Sequence, residues 1–149
     1  MVWLGVDLGN ARVGLALSDP ELTLAHPAGN ITVRRDYFEA FDDVLNVIED
    51  NLVDRVVIGL PLDMDGTEGR SAKKARRWST NLVTRLEHER DDPQSGITWM
   101  PDVMLIDERL TTVAAHRQLF DAQIDSRGHR ALVDQQSAVT ILQMALDRP

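Results

Sequence analysis

Cysteine is absent from the 149-residue chain. Its absence removes disulfide scaffolds, thiolate metal sites and cysteine nucleophiles together, and agrees with a reducing cytosol. No apolar run approaches the ~18 residues of a membrane span. The N-terminal MVWLGVDL carries neither a basic n-region nor a small-residue cleavage site, so no signal peptide and no membrane association are expected. Positive charge is in the minority, with 16 Lys and Arg against 24 Asp and Glu and a net charge of −8. As a global sum this argues against nucleic-acid binding, although a local patch can override it at contact range. His26, His88, His116 and His129 lack metal-ligand spacing, and Ser18, Ser71 and Ser137 lack a His-Asp arrangement. There is no Walker lysine motif, internal repeat or linker. The length fits one domain over residues 1–149, burying roughly two-thirds of the surface its unfolded chain exposes.

What is present is a set of short apolar runs punctuated by turns. Val2–Leu8 and Val13–Ser18 read as strands joined by a tight turn into a hairpin. Asn30–Val33 reads as a short third strand at an edge. Asp36 has the character of an N-cap, with Glu39 three residues on; Phe38, Phe41, Leu45, Ile48 and Leu52 follow at helical spacing. RVVIGL, Arg55–Leu60, is a continuous apolar run of the kind buried on both faces of a sheet. After the loop PLDMDGTEG a long helix is expected from near Glu68 to about Arg90. Val103–Asp107 is a fifth strand. A helix from Thr111 or Thr112 to about Ala122, a polar and mobile Asp125–Arg130, and a last helix from about Ala131 complete the chain. Three consecutive strands followed by helix-strand alternation predict an α/β fold, a mixed sheet with helices on both faces.

Three carboxylates stand out. Asp7 lies at the end of strand one, before the glycine-containing turn of GVDLGNARVG, and Glu108 lies just past strand five in LIDERLTT. In open α/β sheets ligands gather outside the carboxyl ends of the strands. Asp134 precedes Ala138, Ile141, Leu142 and Ala145 by 4, 7, 8 and 11 residues, on the apolar stripe of the last helix, where a lone carboxylate is costly. Three converging carboxylates without His or Cys suit hard divalent cations, Mg²⁺ or Mn²⁺, which can clamp the oxygens of a phosphodiester. The bland alternatives are a strand-end acid at Asp7, pairing of Asp107 and Glu108 with Arg109 and Arg117, and a helix-dipole role for Asp134. Asp63, Asp65 and Glu68 lack full Ca²⁺-loop spacing.

Five of the 16 basic residues crowd into RSAKKARR. Arg70, Lys73, Lys74 and Arg77 share one helix face, with Ala75, Ser79, Leu82 and Leu86 opposite, toward the core. Cations at a helix start oppose the dipole, which suggests an anionic partner such as a phosphate backbone. Arg12, Arg70 and Arg109 are expected near the same strand ends, where with Lys73, Lys74 and Arg77 they would bind and position a nucleic-acid strand. Trp3, Trp78 and Trp99 read as packing residues.

GVDLGNARVGLALSD, VIGLPLDMDGTEG, LIDERLTT and VDQQSAVTILQMALD, in this order and spacing, resemble the four motifs of the YqgF/RuvX family across nearly the whole chain. The resemblance implies a ribonuclease H-like fold with a five-stranded mixed sheet in the order 3-2-1-4-5. It also implies a cytoplasmic, metal-dependent nuclease acting on the 5′ end of pre-16S rRNA, with RNA preferred over DNA as partner, as monomer or homodimer. The family's acids map onto Asp7, Glu108 and Asp134, and its Gly-Leu-Pro loop onto Gly59, Leu60 and Pro61. Ser137 stands where the family usually has alanine. In that strand order the ends of strands one and five lie about 9–10 Å apart, so the acids need the longer reach of Glu, or Asp134, to share a metal. The rival readings are a non-catalytic RNA-binding assembly factor and a Holliday-junction-resolving DNA endonuclease. An actin-like ATPase is set aside, because it needs two such domains around its nucleotide.

Overall fold

The computed structural model describes residues 1–9, 11–35, 37–109 and 127–148, with backbone alone for residues 37 and 127–135. Five strands form one sheet in the order β3-β2-β1-β4-β5. They are β1 (Trp3–Leu8), β2 (Arg12–Ser18), β3 (Ala25–Thr32), β4 (Arg55–Leu60) and β5 (Asp102–Asp107). The described helices are α1 (Phe41–Asn51), preceded by a 3₁₀ turn at Tyr37–Ala40, α2 (Arg70–Asp91) and α3 (Arg127–Leu146). The β1–β2 and β2–β3 pairs are antiparallel, while β1–β4 and β4–β5 are parallel. The carboxyl ends of β1, β4 and β5 therefore share one edge of the sheet.

Strand alternation sorts the apolar residues onto two faces. Leu4, Val6, Val13, Leu15, Val56 and Ile58 meet Phe41, Val44, Leu45 and Ile48 of α1 and Trp78, Leu82 and Leu86 of α2. The other face is built from smaller residues. Ala16, Val57 and Ile106 meet Ala138, Ile141, Leu142 and Ala145 of α3, and Gly5, opposite Ala16, lets that helix come close. A Cβ on Gly5 would stand 2.7 Å from Leu142 Cβ and 2.8 Å from the Ala138 carbonyl oxygen. Gln143, further along α3, bonds the Ala25 N–H at 2.9 Å and the Thr23 carbonyl at 2.9 Å. Ala25 pairs with Ser18 at the far end of the sheet from the Asp7 edge. Going back along α3 from Ala138 thus leads toward the carboxyl edge.

Several expectations are corrected. The edge strand begins at Ala25 rather than Asn30 and contains Pro27 and Gly29 (φ 101°); proline is tolerated on an edge, where its missing N–H faces no partner. Helical structure opens with the 3₁₀ turn at Tyr37 and becomes α-helical at Phe41, while Asp36, expected as the N-cap, lies outside the described residues. Phe38 and Leu52 do not join the core stripe: Phe38 is 43% exposed, and Leu52 is an exposed C-cap with φ 51°. On α2 the core residues are Ala72, Ala75, Trp78, Leu82 and Leu86, with Ser79 only partly buried. α3 begins at Arg127, so Arg127–Arg130 are helical rather than a mobile break. The helix expected after Thr111 lies outside the described residues.

Candidate active site

Asp7 is the penultimate residue of β1, opposite Gly14 of β2. Glu108 follows the last residue of β5, and its N–H donates to the Leu60 carbonyl at 3.3 Å, carrying the β4–β5 ladder one step further. Asp7 shares a face with Gly5, and Glu108 with Ile106, by the two-residue period of a strand. Both carboxylates therefore lie on the α3 side of the sheet, at its carboxyl edge, and each residue is only 1% exposed.

β4 runs between the two acid-bearing strands. At the crossing point it has Gly59, paired with Ile106. Glu108 Oε2 fills the place a Cβ on Gly59 would take, and Ile141 Cδ1 lies 2.5 Å from that position. Glycine inside a strand often marks such a close approach. Here it lets the Glu108 carboxylate lie over β4, in the direction of β1. The long reach that two strand spacings demand is thus provided by the glutamate side chain passing over a residue without one. The sequence held the signal, a glycine within RVVIGL, but nothing local said which side chain would use the space.

Arg109 is fixed. Its Nε and Nη2 donate to Asp107 Oδ2 at 2.9 and 2.8 Å, and its backbone N–H to Asp107 Oδ1 at 2.9 Å. Nη1 reaches the Met64 carbonyl at 3.5 Å and would stand 2.9 Å from a Cβ on Gly66, which has φ 89°. The guanidinium, hydrogen-bonded first of all, holds the Asp107 carboxyl below its ordinary value of 3.8. The pairing of Asp107 with Arg109 considered from sequence is therefore present, and it brackets Glu108 on both sides. The acids of PLDMDGTEG serve their own loop: Thr67 Oγ1 donates to Asp65 Oδ1 at 2.7 Å and to Asp63 Oδ2 at 3.2 Å, and Glu68 pairs with Arg76 at 2.5 Å.

The basic residues divide. Arg12 is half-buried at the start of β2, on the Asp7 edge. Arg70, Lys73 and Arg77 are exposed on the first turns of α2 and form no ion pair with any described residue. Lys74 is half-buried beside them. Asp134 lies in α3 one turn before Ala138, and its side chain lies outside the described residues. Among the described residues no three acidic, His or Cys side chains form a metal cluster. The donors that are placed, two buried carboxylates at one sheet edge, are the hard oxygen ligands a divalent cation takes. Carboxylates withdrawn from water are costly to keep charged unless they are hydrogen-bonded, paired or bound to a metal.

A mixed sheet in the order 3-2-1-4-5, helices on both faces and buried acids at the carboxyl edge define the ribonuclease H-like class. A solved structure of Thermus thermophilus RuvC in complex with a Holliday junction substrate has this fold, at TM-score 0.53 and 16% identity, covering 98% of this chain and 94% of that one. The family model RuvX, described as Holliday junction resolvase, matches residues 1–148, and the chain belongs to that family. A relative from Bifidobacterium longum subsp. infantis is 72% identical over 148 residues, covering 99% of this chain and 98% of its own. One from Frankia casuarinae is 40% identical over 146 residues, covering 98% of this chain and 66% of its own. Both carry the name "Putative pre-16S rRNA nuclease". Membership brings the class of chemistry, a nuclease hydrolysing phosphodiester bonds. Nucleases of the RuvC-like fold generally use divalent metals.

Proposed function

We propose that the protein processes the 5′ end of pre-16S rRNA in the cytoplasm, as a metal-dependent nuclease with Asp7, Glu108 and Asp134 as its metal-holding acids. The observation that carries this reading is the convergence of Asp7 and Glu108, both buried, on one face and one edge, with Gly59 making room for the glutamate. The backbone course of α3 supports Asp134 as the third acid, since its turn lies on the Asp7 side of Ala138. None of the described helices is long and apolar enough to cross a membrane.

Asp7, Glu108 and Asp134 would hold the Mg²⁺ or Mn²⁺ ion, whose charge would activate water and stabilise the departing oxygen at neutral pH. The chain's own contributions are positional. Asp7 and Glu108 present oxygens from two parallel strands whose separation the sheet fixes. The Asp107–Arg109 pair holds the turn on either side of Glu108. Arg12, Arg70, Lys73, Lys74 and Arg77 attract the phosphate backbone and align it along the edge. A water molecule gives up a proton as its oxygen bonds to phosphorus, the bond from phosphorus to the leaving ribose oxygen breaks, and that oxygen takes up a proton.

The family description and the RuvC fold give a specific second reading, cleavage of a four-way DNA junction. One assay separates the two. Purified protein is incubated with single-stranded RNA, a pre-16S 5′-leader fragment and a four-way DNA junction, each with Mn²⁺, Mg²⁺ or EDTA, with Asp7→Asn in parallel. The expected result is metal-dependent cutting of the leader fragment that falls at least about a hundredfold in the variant. Cutting of the junction in preference to RNA moves the substrate to DNA. Cutting that survives in Asp7→Asn overturns the site, and salt-sensitive binding without cutting identifies an assembly factor.

A further inference from the structure

Phe38 is 43% exposed, whereas the rings beneath it are buried. It leans on Phe41 at 5.5 Å between centroids, and Phe41 stacks on Trp78 of α2 at 4.9 Å. The three rings make a column rising from the core to the surface. Just before Phe38, the N–H groups of Arg34 and Arg35 donate to the Glu39 carboxylate at 3.5 and 2.7 Å. This folds the Arg34–Arg35 segment against the 3₁₀ turn, with both arginines exposed and in no ion pair with a described residue. The Val33 N–H bonds the Ala11 carbonyl at 3.0 Å, tying the same segment to the β1–β2 hairpin next to Arg12 and the Asp7 edge. Trp78 belongs to α2, and exposed Arg77 is its neighbour in the chain.

We propose that Phe38 is a stacking platform for an unpaired base of the substrate, with Arg34 and Arg35 taking the flanking phosphates, so that the strand is single-stranded where it passes the α1–α2 face of the sheet. A partly exposed aromatic ring among uncommitted cations fits a single strand, whose bases have free faces, and not a duplex, whose bases are already stacked. The proposal rests on the nucleic-acid substrate of the preceding section and adds to it the state of the strand and the residue that selects it.

The test is binding measured without cleavage. A labelled RNA oligonucleotide, single-stranded or annealed into a duplex, is titrated by fluorescence anisotropy with EDTA present. Phe38→Ala is expected to weaken single-strand binding about tenfold, the range of one base–aromatic stack, while changing duplex binding little. Phe38→Trp is expected to retain single-strand affinity. Phe38→Leu keeps an apolar contact with Phe41 but offers no ring, so it should behave as Phe38→Ala does; thermal unfolding of each variant verifies folding. Wild-type affinity in Phe38→Leu, equal losses for strand and duplex, or absence of single-strand binding by the wild type would each overturn the platform. Cleavage by the wild type with Mn²⁺ is scored separately, so a nuclease that cuts RNA but ignores Phe38 sinks this inference and leaves the catalytic reading standing.

Discussion

Glu108 occupies space that any residue larger than glycine at position 59 would claim, and Ile141 presses on the same point. In Gly59→Ala the new methyl group must displace one or both. Overpacking of this kind costs about 1–3 kcal/mol, and moving Glu108 takes an oxygen ligand from the site. Denaturant unfolding should register the first effect. Divalent-ion binding by titration calorimetry should register the second, with cleavage falling at least tenfold. Asp107 is a residue-scale switch of another kind. Its folded pKa is depressed, so its contribution to stability is fully present above the unfolded value of about 3.9 and is lost as pH falls through the lower folded value. The Tm of Asp107→Asn should therefore lie below wild type at pH 6, by a few degrees at most for so exposed a pair. The gap should close as the pH drops below 3.8. A gap independent of pH would mean the ion pair is not its source.

At the scale of elements, two placements matter. α3 lies on the sheet at near-backbone distance because Gly5 and Ala16 keep the surface beneath it low. Gly5→Ala should push the helix off Leu142 and Ala138, lowering stability by about 1–3 kcal/mol in chemical unfolding. α2 begins with a cation, Arg70, after Gly69 as N-cap, and has no acid in its first turn. That arrangement opposes the helix dipole. Arg70→Glu should raise stability by about 0.3–1 kcal/mol while weakening RNA binding, a pair of opposite signs that thermal melts and anisotropy can read on the same sample. A variant that loses both would show that Arg70 is structural.

For the molecule as a whole, the net charge of −8 coexists with exposed or half-buried cations at Arg12, Arg34, Arg35, Arg70, Lys73 and Arg77, none in an ion pair with a described residue. Contact-range attraction survives unfavourable net charge, but added salt screens it. If about five phosphates are engaged, log K for a single strand should fall with log salt at a slope of about −3 to −4, and removing one of these cations should reduce the slope by roughly 0.7. A flat salt dependence would remove these cations as the nucleic-acid surface.

Much of this architecture is written in local patterns. Alternation in WLGVDL and RVGLALS, the continuous run RVVIGL and the strand VMLID mark four of the five strands within a residue of their ends. Their order, with the resemblance to known motifs, leads to a ribonuclease H-like sheet, and strand ends alone nominate Asp7 and Glu108. These features follow from the sequence because they depend on periods of two or four residues. Other features rest on contacts between segments far apart in the chain. The edge strand runs through Pro27 only because β2 is there to pair with it. Phe38 leaves the α1 stripe because Phe41 and Trp78 already fill the core beneath it. Glu108 lies over β4 because Gly59, nearly fifty residues earlier, has no side chain. Local sequence sets which residues face a sheet or a helix; which neighbour fills the space in front of them is decided only when the sheet closes and the helices pack.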